Sequence, residues 1–68
     1  MGTGKFRVYA IGGIKYVDLE DDTVDDVEDL FRKAARAGYV VGNVQEEEDR
    51  ALKILIPARG IGGITDAP

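Results

Sequence analysis

Carboxylates are the most concentrated chemical feature of the chain. Eight of the twelve residues from Asp18 to Asp29 are Asp or Glu. Such a stretch could bind calcium or imitate the phosphates of a nucleic acid. Asp18, Glu20 and Asp22 have the 1, 3, 5 spacing of a calcium loop, but position 6 is not Gly and position 12 is not Glu, so an EF-hand is excluded. Helix capping and the helix dipole account for the presence of most of these acids. As a group they predict an acidic surface of Asp21, Asp22, Asp25, Asp26, Glu28 and Asp29.

Two glycine clusters resemble parts of phosphate-binding loops. Residues 2–5 (GTGK) end like a P-loop, but Phe6 stands where the motif requires Ser or Thr. Residues 60–63 (GIGG) follow an expected strand, but no helix follows them, as a dinucleotide-binding turn requires. Neither cluster predicts a nucleotide or phosphate site.

The residue types missing from the chain restrict catalysis. There is no Cys, His, Ser or Trp among the 68 residues. Nucleophile–imidazole pairs, thiolate metal sites and a histidine base are therefore impossible. We expect no enzymatic activity, no cofactor, no metal and no small-molecule substrate.

Charge and hydropathy restrict the classes of partner. The net charge is −4, and the nine basic residues are scattered along the chain. A surface for nucleic acid requires a basic patch, so direct nucleic-acid binding is not expected. No apolar run is long enough to span a membrane, and no charged leader precedes an apolar stretch. These features predict no membrane association and a cytoplasmic location.

A β-hairpin is the best-defined local prediction. Residues 5–11 (KFRVYAI) and 14–19 (IKYVDL) are strand-like runs separated by two glycines. A two-residue loop pairs Ile11 with Ile14, Tyr9 with Tyr16, and Arg7 with Asp18. Phe6, Val8, Val17 and Leu19 then share one face, and the tyrosines share the other.

A helix is predicted after the hairpin. Asp22 or Thr23 can cap its start, and Gly38 suits its end. One helical face carries Val24, Val27, Leu30, Phe31 and Ala34, with Ala35 at its margin. The spacing of Glu28 with Arg32 and of Asp29 with Lys33 favours ion pairs along the helix.

Two more strands complete the expected fold. They are residues 39–45, with Gly42 as a weak point or bulge, and residues 51–56, separated by an acidic turn at 46–49. The order β-β-α-β-β predicts one α+β domain over residues 1–57, with a four-stranded sheet and the helix across one face. Residues 58–68 are expected to be a Gly-rich C-terminal tail, for which disorder, a fifth strand and an arm to a neighbouring subunit stay open.

A single helix covers only one face of such a sheet. The other face would expose an apolar and aromatic patch, which is typical of a contact surface. The alternatives are a tail folded back over this face and pairing of two copies there for stability alone. The predicted partner-binding residues are Tyr9, Ile11, Ile14, Tyr16 and Leu55.

The pattern also resembles the ubiquitin-like β-grasp family, which includes small sulfur-carrier proteins. The resemblance lies in a Gly-turned hairpin, a helix start with Thr23, Val24 and Val27 in a D-T-φ-x-x-φ pattern (φ apolar), and a late strand leading to Gly62-Gly63. It implies a mixed sheet whose last strand lies beside the first. It also implies conjugation through Gly63, for which the five following residues must be removed. The first half of the chain equally suits the oligomerising ββα module of nucleoid-associated proteins.

Together these features predict a small non-enzymatic interaction domain that binds a protein partner or forms a homo-oligomer through the apolar sheet face. Two alternatives are kept. One is an acidic inhibitor that imitates DNA and occupies a basic nucleic-acid-binding protein. The other is a ubiquitin-like modifier or carrier processed at Gly63.

Overall fold

The computed structural model describes residues 4–12, 15–47 and 50–67. Strands β1 (Lys5–Ala10) and β2 (Tyr16–Glu20) precede helix α1 (Val27–Ala37). Strands β3 (Tyr39–Glu47) and β4 (Arg50–Pro57) follow, then a 3-10 turn (Ala58–Gly60) and strand β5 (Ile61–Asp66). The fold is α+β, with one sheet in the order β4-β3-β2-β1-β5.

The hairpin forms in the predicted register. Phe6 pairs with Leu19, Arg7 with Asp18, Val8 with Val17 and Tyr9 with Tyr16. The Ala10 N–H donates to the Lys15 carbonyl at 3.2 Å. Ile14, the predicted partner of Ile11, lies outside the described residues.

The prediction of a four-stranded mixed sheet is wrong. The sheet has five strands, and every pairing is antiparallel. Strand β4 lies at one edge, and the neighbour of β1 is β5, which occupies part of the expected tail. The 3-10 turn joins β4 to β5, which lie at opposite ends of the strand order and run in the same direction. The Ile11 N–H donates to the Gly60 carbonyl at 2.8 Å, which aligns β5 against β1.

The helix starts later than predicted. Asp26, rather than Asp22 or Thr23, is the N-cap, and its carboxylate accepts the Asp29 N–H at 3.0 Å. The Asp21 carboxylate accepts the Thr23 N–H at 2.9 Å, so a local turn takes up the residues expected to open the helix. Gly38 ends the helix at φ 94°, as predicted.

Helix α1 packs on one face of the sheet and encloses a small core. The buried side chains are Phe6, Val8, Val17, Leu30, Ala34, Val40 and Ile56. Gly42 permits this packing, because a Cβ there would lie 2.6 Å from Cγ2 of Val17. Phe31, which we expected on the covered face of the helix, is 50% exposed.

Candidate functional site

The sheet face opposite the helix is crossed by a row of polar residues. The strand registers place Thr65 opposite Arg7, Arg7 opposite Asp18, Asp18 opposite Asn43, and Asn43 opposite Lys53. The row therefore runs through all five strands, from β5 to β4. We refer to these five residues as the polar row, and to the face that carries them as the outer face.

The tyrosine cluster, defined as Arg7, Asp18, Tyr9 and Tyr16, lies at the centre of the β1–β2 hairpin. Arg7 donates through Nε to Asp18 Oδ1 at 2.8 Å, and its guanidinium carbon lies 4.1 Å from the centre of the Tyr16 ring. The Tyr9 and Tyr16 ring centres are 5.6 Å apart, with planes tilted by 55°. The bond to Asp18 raises the pKa of Arg7 further above its ordinary value. The four side chains therefore hold one another in a fixed, charged and aromatic arrangement.

The predicted partner-binding residues do not form one continuous patch. Tyr9 and Tyr16 are in contact, and Ile11 is 63% exposed where the hairpin turns. Leu55 is 57% exposed, but the polar row lies between it and the tyrosines. Leu55 lies two strands and four residues from Tyr16, which places their Cα atoms about 16 Å apart. Ile14 falls outside the described residues.

A second apolar area therefore lies on the far side of the polar row. Val41 pairs directly with Leu55 across β3 and β4, and it is also exposed. The sequence analysis did not single out Val41. The alternation along β3 could have identified it, because Val40 is buried and successive side chains of a strand point to opposite faces.

One predicted acidic residue, Asp21, is part of a structural contact. Lys33 of α1 donates to Asp21 Oδ2 at 2.5 Å and to Thr23 Oγ1 at 2.9 Å. The bonds from Lys33 and from Thr23 lower the pKa of Asp21 to about 2. Lys33 was expected to pair with Asp29. It pairs with Asp21 instead, and this contact links the loop before the helix to the middle of the helix.

The other acidic residues differ in how far they are engaged. Asp26 caps the helix, and Glu28 pairs with Arg32 at 3.4 Å, as predicted. Asp29 also bonds to Arg32, at 3.1 Å. Asp22 and Asp25 are exposed and have no side-chain ion pair among the described residues. Within that part of the chain, no three acidic side chains converge closely enough to hold a metal ion.

A groove that the sequence analysis missed separates α1 from the edge strand β5. Its volume is about 430 Å³. The helix contributes Val27, Glu28, Phe31 and Arg32, and the strand contributes Ile61, Gly62, Gly63 and Ile64. No local signal identifies it, because β5 itself was assigned to a tail.

The Gly62-Gly63 pair is part of a strand. Gly63 pairs with Tyr9, and the Ala67 N–H donates to the Lys5 carbonyl at 3.0 Å beyond it. Removing the residues after Gly63 would remove half of β5. The modifier hypothesis, which requires that removal, stays a prediction.

Among the described residues, no helix is long and apolar enough to cross a membrane. Comparisons with models of protein families, with curated proteins and with solved structures find no match to this chain.

Proposed function

We propose that this protein is a small non-enzymatic interaction domain that binds a protein partner, or a second copy of itself, through the outer face of its sheet. The observation that carries the proposal is the tyrosine cluster. Tyr16 is 38% exposed while Arg7 and Tyr9 hold its ring in place. Tyr and Arg are the side chains that most often dominate binding energy at protein interfaces.

Preorganisation of the cluster supports this role. Immobilising a flexible side chain costs about 0.5–1.5 kcal/mol when a complex forms. The Arg7–Asp18 pair and the ring contact already restrict these side chains in the free protein. The polar row supplies hydrogen-bonding groups beside two apolar areas. This mixture of polar and apolar surface is typical of non-obligate protein interfaces.

The size of the outer face limits how tightly two copies could associate. Five strands about 4.8 Å apart and roughly 20 Å long give a face of about 500 Å². Two such faces bury about 1,000 Å², which is the lower bound of specific interfaces. We therefore expect any homodimer to dissociate on dilution rather than to be obligate.

The test is the solution mass of the protein by light scattering over a wide concentration range. Tyr9→Glu and Tyr16→Glu should each abolish association while circular dichroism stays unchanged. Phe31→Glu is the matched control, because it introduces the same charge at a half-exposed aromatic residue on the other side of the molecule. Association like that of the wild type in both tyrosine variants refutes the use of this face by a second copy.

If the wild type is monomeric, the same variants test a different partner. Chemical crosslinking in lysate should then give an adduct with the wild type and with Phe31→Glu, and not with Tyr16→Glu. Equal adducts from all three proteins refute the outer-face proposal.

A second candidate function is that of an acidic inhibitor that occupies a basic nucleic-acid-binding protein. The exposed carboxylates of Asp22 and Asp25, which have no ion pair within the described part of the chain, and the net charge of −4 favour it. Salt distinguishes the two functions, because screening weakens contacts between exposed charges and leaves apolar contacts largely unchanged. Counterions screen exposed charges strongly as the salt concentration rises from about 50 to about 300 mM. Partner binding that falls steeply over this range supports the inhibitor.

A further inference from the structure

Strands β3 and β4 carry an exposed apolar area at the end of the outer face that lies away from the tyrosines. Two neighbouring cross-strand pairs form it, because Tyr39 pairs with Pro57 and Val41 pairs with Leu55. All four side chains are exposed, Tyr39 at 45% and Leu55 at 57%. We refer to these four residues as the apolar corner. The tyrosine cluster alone does not explain why such a corner stays exposed.

The tyrosine cluster and the apolar corner lie on either side of the polar row. Neighbouring strands are about 4.8 Å apart, and alternate residues of one strand are about 6.8 Å apart. On that grid the midpoint between Tyr16 and Leu55 falls at Asn43, within the polar row. A two-fold axis that passes over Asn43 between two stacked outer faces, perpendicular to the line from Tyr16 to Leu55, therefore sets each area of one copy on the other area of the second copy.

The same rotation brings opposite charges together. On the grid, Arg7 of one copy comes to lie over Glu20 of the other. Lys5 falls near the axis at the rim of the face, where exposed like charges are screened by salt. An axis along β2 would instead set the two tyrosine clusters on each other, and Asp18 and Glu20 on the same acids of the second copy. Charge therefore favours the exchanged arrangement.

The charge of the outer face favours a second copy over a strongly charged partner. Over the part of this face that the structure describes, the two signs are nearly balanced, with three bases and two acids: Lys5, Arg7, Lys53, Asp18 and Glu20. The whole chain carries −4, but the acids of residues 25–29 lie at the start of α1, which packs on the other face. Two outer faces therefore meet without the repulsion that the net charge would suggest.

The area of the contact also requires both parts of the face. Complete overlap of two outer faces buries about 1,000 Å², which is the lower bound of specific interfaces. A contact through the tyrosine clusters alone would fall well below that bound. The exchanged arrangement uses the whole face, because each copy contributes its cluster and its corner.

We propose that the outer face is self-complementary, and that two copies of the chain pair face to face with the tyrosine cluster of each on the apolar corner of the other. This inference rests on the proposed function, to which it adds the partner and the register. Tyr16 contacts Leu55 of the second copy, and Tyr9 lies against Pro57. Tyrosine rings on aliphatic side chains bury a large apolar area and keep their hydroxyl groups at the polar row.

A mixing experiment with two variants tests the register. Tyr16→Glu and Leu55→Lys should each raise the dissociation constant of the homodimer about a hundredfold or more, because a two-fold contact loses both of its copies. An equimolar mixture of the two should associate again, to within about tenfold of the wild type. One Tyr16–Leu55 contact is intact in the mixed dimer, and the introduced glutamate faces the introduced lysine at the other. Light scattering gives the association, native mass spectrometry identifies the mixed dimer, and circular dichroism should be unchanged because both positions are exposed.

The control is a mixture of Tyr16→Glu with Tyr16→Lys, which places the same two opposite charges at one position. This mixture should stay monomeric, because it contains no intact Tyr16–Leu55 contact. Recovery of association here and not in the first mixture would show that the tyrosine clusters meet each other, and the proposed register would be wrong. Absence of the mixed dimer in the first mixture also refutes it.

The outcomes separate this inference from the proposed function. Leu55→Lys that associates like the wild type, while Tyr16→Glu does not, refutes the exchanged contact and leaves the proposed use of the outer face standing. A wild type that is monomeric up to about 1 mM refutes pairing of two copies, and the crosslinking test for a different partner then decides the proposed function. Wild-type-like association of Tyr9→Glu and Tyr16→Glu refutes both.

Discussion

Replacing Asp21 by Asn tests whether the contact between the loop and the helix stabilises the fold. The carboxylate accepts bonds from Lys33 and from Thr23, and the side chain is 17% exposed. Asn keeps an oxygen that can accept the Thr23 N–H. The substitution therefore removes mainly the charge that faces Lys33.

The magnitude follows from the pKa of Asp21. Its lowering from 3.8 to about 2 corresponds to about 2 kcal/mol of preference for the ionised form. Lys33 is half-exposed, so solvent screening reduces the expected loss to about 1–2 kcal/mol. The total stability of a domain of this length is roughly 3–10 kcal/mol, so the loss is a large fraction of it.

The pH dependence gives the effect a direction. Because the folded pKa lies below the unfolded one, the ionised carboxylate stabilises the fold fully above pH 3.8. This contribution is lost as the pH falls from 3.8 towards 2, where Asp21 becomes neutral in the folded state too. Wild type and Asp21→Asn should therefore differ at pH 7 and converge near pH 2.

The assay is urea unfolding followed by circular dichroism at several pH values. Asp25→Asn is the matched control, because Asp25 is exposed and has no ion pair among the described residues. Equal stability of wild type and Asp21→Asn at pH 7, or a difference that persists at pH 2, would refute the reasoning. So would a loss of similar size in Asp25→Asn.

Two further predictions concern packing and are measured by the same unfolding assay. Gly42→Ala should lose about 1–3 kcal/mol, because the new Cβ would lie 2.6 Å from Val17 Cγ2. Gly63→Ala, whose Cβ meets no atom within 4 Å, should change stability by less than about 1 kcal/mol, and equal effects of the two would contradict the packing argument. Leu30→Ala should lose about 2–4 kcal/mol because Leu30 is buried. Phe31 is adjacent and half-exposed, so Phe31→Ala should lower the free energy of unfolding by less than Leu30→Ala does. A larger loss in Phe31→Ala would show that Phe31 belongs to the core.

The hairpin shows what local sequence can determine. Its register follows from two glycines and from the alternation of apolar and polar residues on either side, all within fifteen residues. A one-residue shift would turn Phe6, Val8 and Val17 to solvent, so the pattern itself selects the register. The end of α1 at Gly38 was predictable for the same reason, because a left-handed residue there stops the helix locally.

The helix start shows where local signals compete. Asp21, Asp22, Thr23, Asp25 and Asp26 all suit a cap, and their order alone does not choose among them. Asp26 is the N-cap in a structure in which Asp21 forms a separate turn. The carboxylate of Asp21 also accepts a bond from Lys33, which lies twelve residues further along the chain. Contact between distant residues therefore decided which carboxylate caps the helix.

Composition and local pattern alone determined the hairpin, one helix, its end, and a face carrying Tyr9 and Tyr16. Tertiary structure alone decided that residues 61–66 form a strand beside β1. Their sequence contains two isoleucines and two glycines, so its own preference for a strand is weak, and pairing with the distant β1 supplies the remaining stabilisation. It also decided the groove beside that strand and the division of the outer face, since a row through five strands depends on registers between segments up to sixty residues apart. Side-chain alternation can be deduced from one strand, but which strands become neighbours depends on the free energy of the whole sheet.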